Sequence, residues 1–278
     1  MTYSVAAFDH FGKYKENPAF ACFHRLSVRA FAEFHKCAST AEPRPFTDLI
    51  RKMLYVAEAT SAALQLNASW ALTHPAFSLC RDRYEQCARF SWLARQTDDR
   101  EWYRYIADKY FREARIKKAF ADRGVDIPEL DTRSFEQLPD DKKKSFRHWD
   151  NLKLDRLAEA RDTLKGITGS RLDQETLRWL YDSIYRQGSS VSHYDLYSIN
   201  MLGLYEGPNG LVLAADPALP VVTVLHCALF DLIQCSEALA KLERPAPIEI
   251  WDNALAEWWD YVKRTGIMDI GRDAGSSR

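Results

Sequence analysis

Glycine is scarce in this chain, with 11 among 278 residues against a usual share of about 7%. Scarce glycine disfavours folds built from many tight turns and so favours helices. Charge of one sign is also missing. Lys and Arg number 38 and Asp and Glu 39, for a net charge of -1. No global positive field draws in nucleic acid, so any such binding needs a local patch. No apolar run reaches the roughly 18 residues of a membrane-spanning helix. The best one, "PVVTVLHCALFDLIQC", is interrupted by His226 and Asp231. The start, "MTYSVAAFDHFGKYKENPAF", has no basic residues ahead of an unbroken apolar run. It does not resemble an export signal, and a cytoplasmic protein is expected.

Cysteine pairs of the C-x-x-C kind are absent among the six cysteines, which are then expected to be reduced. Cys80 and Cys87 lie seven apart, and Cys227 and Cys235 eight apart. Both pairs are expected to be core thiols. The phosphate loop G-x-x-x-x-G-K-[ST], the G-x-G-x-x-G fingerprint, H-E-x-x-H and G-x-S-x-G are all missing. So is the Glu-x-x-His pattern of di-metal helical bundles. Cys227, Asp231 and Cys235 could line one helix face, which is weak support for zinc. No metal and no cofactor is expected.

What is present is helical periodicity. Residues 19–37 carry Phe20, Phe23, Leu26, Ala30, Phe31 and Phe34 at helical spacing. The run from Phe46 predicts a second helix with Leu49, Met53, Val56, Thr60 and Leu64 inward. A third opens with Thr73 as N-cap and Pro75 near its first position, and turns Phe77, Cys80, Tyr84, Cys87, Ala88 and Ser91 to the core. Asp98 or Asp99 caps a fourth, with Trp102, Tyr105, Ile106, Tyr110, Ile116 and Phe120 inward and Gly124 at its end. Further helices are read from about Asp140 to Lys165, along "DQETLRWLYDSIYRQ", along "PALPVVTVLHCALFDLIQCSEALAKL" and along "APIEIWDNALAEWWDYVKR". Pro208-Asn209-Gly210 predicts a small β-hairpin near 204–213. The fold class is all-α, a bundle of about eight helices with that hairpin. Residues 1–46 read as a helical extension, 47–264 as the main domain and 265–278 as a disordered tail.

Three constellations could carry chemistry. In "YRQGSSVSHYDLYS", a continuous helix would put Arg186, Ser189 and His193 on one face. If Gly188 instead starts a new helix, Ser189 or Ser190 caps it, and the positive helix end keeps His193 neutral, as a general base requires. The alternative is a hydrogen-bonded core histidine. In "RDRYE", Arg81 and Glu85 are four apart, either as a structural ion pair or as partners of His193 and a phosphate. Arg112, Arg115, Lys117 and Lys118 follow Tyr110 and Phe111 near one helix end. They form either a solvated face or a nucleic-acid contact, since guanidinium forks suit phosphate and aromatics stack on bases.

An all-helical chain with Arg186 and His193 and six residues between them in "RQGSSVSH" resembles the HEPN superfamily. The polar Gln187 after the arginine fits as well. Arg81 and Glu85 on an early helix, with Ser189 and His193 on a late one, are similar to uncharacterised bacterial helical proteins grouped with such folds. The resemblance implies metal-independent RNA cleavage in toxin or phage-defence settings. His193 would be the base, Arg186 would stabilise phosphate charge, and Glu85 and Ser189 would hold the imidazole. It also implies a homodimer and a possible partner protein, with no membrane association. The rival expectation is a non-catalytic helical binding protein, an antitoxin, sensor or scaffold.

Overall fold

The computed structural model describes residues 17–40, 42, 46–70, 72–125, 153–186, 189, 204–207, 210–213 and 218–265. Its described elements are helical apart from one two-stranded ladder. Two compact units are present, one of Met1–Arg95 with Ala158–Arg278 and one of Gln96–Leu157.

In the larger unit, helix α1 (Pro18–Ala38) starts where Asn17 accepts a hydrogen bond from the Ala19 amide at 2.9 Å and Pro18 occupies the first helical position. Helices α2 (Thr47–Ser69) and α3 (Thr73–Ala94) follow. Thr73 is the first residue of α3 rather than its cap, and Leu72 precedes it with no side-chain cap bond. Helix α5 (Leu154–Thr163) crosses the boundary between the units. After it come a 3₁₀ turn at Arg171–Gln174, a short helix α6 (Arg178–Leu180) and a π turn at Tyr181–Tyr185. Strand β1 (Leu204–Gly207) pairs antiparallel with β2 (Gly210–Leu213), Gly207 opposite Gly210. Helices α7 (Ala218–Lys241) and α8 (Ile248–Thr265) complete the unit.

Helix α7 is the centre, packed against α1, α2, α3 and α8. Its Leu225, Leu229, Phe230, Leu232 and Ile233 are fully buried, and each such side chain contributes about 1.5–3 kcal/mol. Its Pro220–Lys241 stretch is long and apolar enough to cross a membrane, and it is almost wholly buried inside the protein. Trp258 of α8 donates its indole N–H to the Leu225 carbonyl at 2.9 Å, and Phe23 of α1 meets Tyr261 edge to face at 5.0 Å. Cys80, Cys87, Cys227 and Cys235 are buried and free. Burial pushes the Cys87 thiol up to about 12.

The α3 stripe read from the sequence is the buried one. On α2 Leu64 is buried as expected, but the rest of the stripe is one residue out: Ile50, Leu54, Ala57 and Ser61 are buried while Val56 is 53% exposed. One residue is about 100° around a helix axis, and the face that turns inward is the one carrying Ser61, which has hydrogen-bonding work in the core. Gly166 is required by its neighbour. A Cβ there would lie 2.3 Å from the Asp173 carboxyl carbon, because Asp173 accepts from the amides of Ile167, Thr168 and Gly169.

In the smaller unit, helix α4 (Arg100–Ala121) is preceded by Asp98, which accepts from the Arg100 amide at 3.0 Å. Its end is marked by Gly124, at φ +75°, the left-handed geometry glycine favours. Trp102 is fully buried, but Ile116 and Phe120, expected inward, are 47% and 41% exposed. The part of the expected Asp140–Lys165 helix before residue 153 lies outside the described residues, as do residues 1–16 and 266–278.

Candidate functional site

Five charged side chains of the larger unit, Arg83 with Asp231 and Arg95 and Arg161 with Glu237, are buried in two groups that the sequence did not announce. Arg83 of α3 is fully buried, donating from Nε to Ser61 Oγ at 2.8 Å, from Nη1 to Gln234 at 2.9 Å and from Nη2 to Asp231 Oδ1 at 2.8 Å. Ser61 in turn donates to the same Asp231 oxygen at 2.7 Å. Burial pushes the Asp231 carboxyl up, and Arg83 and Ser61 hold it back. One turn and a half along α7, Glu237 accepts from Arg95 at 2.8 Å and from Arg161 at 2.9 Å. Arg161 also donates from Nε to Ser91 at 2.7 Å. Desolvating these ions is costly, and the charge-assisted hydrogen bonds are what make them tolerable, although Glu237 Oε2 and Gln234 Nε2 are buried without a hydrogen-bond partner. The apolar α7 is thus a helix with one polar rail, Asp231, Gln234 and Glu237, facing the arginines. Asp231, read with Cys227 and Cys235 as a weak zinc face, is the counter-ion of Arg83. Among the described residues no group of three metal-binding side chains occurs.

That rail fixes the candidate site at the surface. Asp162, next to Arg161, accepts from the amides of Leu177 and Arg178 at 2.9 and 2.8 Å, capping the start of α6. Buried Tyr84 of α3 donates its hydroxyl to the Leu177 carbonyl at 2.9 Å. Leu177, Leu180 and Ile184 are buried beneath. The chain then widens into the π turn, closed by the Arg186 amide on the Tyr181 carbonyl. The sequence reading expected an unbroken α-helix here. Such widened turns recur at functional sites.

Arg186 follows immediately and is 69% exposed, its Nη1 3.3 Å from Asp182 Oδ1. Arg81 of α3 reaches the same turn. Its guanidinium lies over the Tyr185 ring, 5.0 Å from the centroid, and Nη2 is 3.4 Å from the Tyr185 hydroxyl. Glu85 does not pair with Arg81; it accepts from Arg89 one turn on, at 2.9 Å. The expected Arg81–Glu85 ion pair is therefore replaced by two different partnerships, because Tyr185 offers Arg81 a ring face and Arg89 is the nearer fork for Glu85. Ser189 is helical and half-buried. His193, with Gln187, Gly188 and residues 190–203, lies outside the described residues, so the Arg186–His193 geometry does too.

The basic group on α4 sits in the smaller unit. Arg112 donates to Asp108 at 2.7 Å while itself 59% exposed; Arg115 and Lys118 are exposed and Lys117 half-buried. The side chains of Tyr110 and Phe111, expected beside them, lie outside the described residues.

What the sequence missed, besides the π turn, are Tyr181, Asp182 and Arg178. Tyr181 and Tyr185 stack at 5.1 Å with 21° between planes. Arg178 lies over Tyr181 at 5.4 Å and donates to Asp182 at 2.9 Å. The i, i+4 spacing of Arg178, Asp182 and Arg186 was the available signal. Residues 48–207, more than half of the chain, match DUF5677, a family of unknown function, and the chain belongs to that family. The match spans α2 to β1, including Arg81, Glu85, Arg186, Ser189 and His193. It stops before α7, which supplies the partners of Arg83 and Arg161. No curated protein and no solved structure matches the chain.

Proposed function

We propose that this chain is a metal-independent endoribonuclease, cytoplasmic and acting as a homodimer in a toxin or phage-defence setting. His193 takes the proton from a ribose 2′-hydroxyl, the alkoxide attacks the adjacent phosphorus, and the 5′-oxygen leaves, giving a cyclic phosphate. Arg186 balances the charge that grows on the phosphoryl oxygens, and Ser189 holds the imidazole. Glu85, committed to Arg89, acts on that ring only at a distance, and Arg81 acts by holding Tyr185. The basic residues of α4, Arg112, Arg115, Lys117 and Lys118, would meet the RNA backbone.

The observation that carries this reading is the exposed guanidinium of Arg186 at the end of a π turn anchored from beneath by Tyr84 and Asp162. A solvent-facing arginine on an anchored turn is placed to meet an anion that takes the place of Asp182. A second reading, a non-catalytic binding protein of the antitoxin, sensor or scaffold kind, is favoured by a different observation. Asp182 already balances Arg186 and Arg178.

The test is cleavage of single-stranded RNA by the purified chain with EDTA present. The wild type should cleave, and His193→Ala should be slower by about 10²- to 10⁴-fold. Equal rates, or no cleavage by the wild type, would overturn the enzyme and leave the second reading.

A further inference from the structure

The surface turn contains a small ordered column. From one end to the other it runs Arg178 guanidinium, Tyr181 ring, Tyr185 ring, Arg81 guanidinium, with separations of 5.4, 5.1 and 5.0 Å. Both outer ring faces are covered by cations, so no base can stack on them. The column instead holds the Arg178 and Arg81 heads in place, so of the two forks that meet Asp182 it is Arg178 that is already fixed and loses little freedom on meeting an anion. Asp182 projects from the same turn, one oxygen 2.9 Å from Arg178 Nη1 and the other 3.3 Å from Arg186 Nη1. One carboxylate bridging two arginine forks is the arrangement a phosphodiester makes with the same forks. The pair is exposed, Arg178 at 41% and Asp182 at 53%, and exposed ion pairs are weak and easily exchanged. Asp82 and Glu85 are the carboxylates whose charge acts on Arg81, and burial raises the Asp82 carboxyl.

We propose that Asp182 is an internal stand-in for substrate phosphate, so that an RNA strand binds this turn by displacing the Asp182 carboxylate from Arg178 and Arg186. The proposal rests on the RNA reading above and adds the mode of recognition. The RNA backbone takes the place between the two guanidiniums, and Asp182 tunes affinity by competing for them. It also makes Arg178 a binding residue that the nuclease reading does not use.

The experiment is a fluorescence-anisotropy titration of the full chain with a labelled 2′-O-methyl RNA oligonucleotide. That probe lacks the nucleophilic hydroxyl, so it reports binding whether or not the protein cleaves RNA. Asp182→Asn should bind about two- to threefold tighter than wild type, the factor a surface ion pair's strength allows. Arg178→Gln should bind more weakly and reduce the slope of log affinity against log salt by about 0.7, one phosphate contact on a single strand. Circular dichroism checks that both variants keep their helices, and Asp182→Ala repeats the first arm with a different side chain. If both Asp182 variants bind no tighter than wild type, or Arg178→Gln changes neither affinity nor slope, the proposal is wrong. Absence of any binding by folded protein also overturns it, while cleavage of ordinary RNA by that same protein would leave the nuclease reading standing.

Discussion

Two arginine–aspartate pairs in this molecule have nearly the same separation and opposite surroundings. Arg83 and Asp231 meet at 2.8 Å with both side chains 0% exposed. Arg178 and Asp182 meet at 2.9 Å with 41% and 53% exposed. The contact geometry is the same; the solvent decides its weight. In the core, neither ion can be abandoned, because a lone buried charge has no water to turn to. At the surface, water replaces a lost partner at little cost. The buried pair is therefore fit to set the register of α3 on α7, and the exposed one is fit to exchange its carboxylate for another anion.

The largest effect should come from breaking the interior pair. Arg83→Ala leaves Asp231 buried without its counter-ion and should destabilise the protein by about 3–5 kcal/mol in chemical denaturation. Replacing both partners, Arg83→Met with Asp231→Leu, should recover part of that loss, since the apolar pair carries no desolvation cost while Ser61 and Gln234 lose the groups they bond. Recovery would show that the charges serve each other rather than the fold.

A smaller effect is expected at His226, a second buried polar group on α7. Its Nδ1 is 2.7 Å from the Val222 carbonyl, and its Nε2 is buried with no partner. Burial pulls its value down from 6.5 to about 4. The unfolded chain therefore takes up this proton at a higher pH than the folded one. The stability is fully present above about pH 6.5 and is lost as pH falls toward 4, on the order of 3 kcal/mol in all. His226→Phe keeps a ring in place and removes the proton site. Its stability relative to wild type should rise across that window, as urea titrations at successive pH values would register.

The smallest effect belongs to the exposed pair. A double-mutant cycle on Arg178 and Asp182 should give a coupling of about 0.3–0.5 kcal/mol in stability. A coupling of several kcal/mol would erase the contrast between the two regions.

The difference also explains what could be read from the sequence. Apolar stripes depend on local spacing, so the α3 face from Phe77 to Ser91 and the buried Leu177, Leu180 and Ile184 were legible. So were α1, though not its Asn17–Pro18 start, and the end of α4 at Gly124. The α2 face was misjudged by one position because Ser61, polar in sequence, is drawn inward by Arg83 and Asp231. That pairing joins residues far apart in the chain, and no local period encodes it. Asp231 accordingly looked like a blemish in an apolar run. Glu85 and Arg81 were matched by spacing alone, and the structure gives each a better partner. The π turn left no mark, since Leu180 and Ile184 suit an α-helix equally well. Of the candidate site, Arg186 was found and its neighbours Tyr181, Asp182 and Arg178 were not.

The most direct measurement is the rate at which purified protein cuts single-stranded RNA in EDTA, with wild type beside Arg186→Gln and His193→Ala. A surface arginine used for phosphate predicts cutting by wild type and a steep fall for both variants while thermal stability stays unchanged. Wild-type protein that is folded and leaves RNA intact, or variants that cut as fast as wild type, would contradict it.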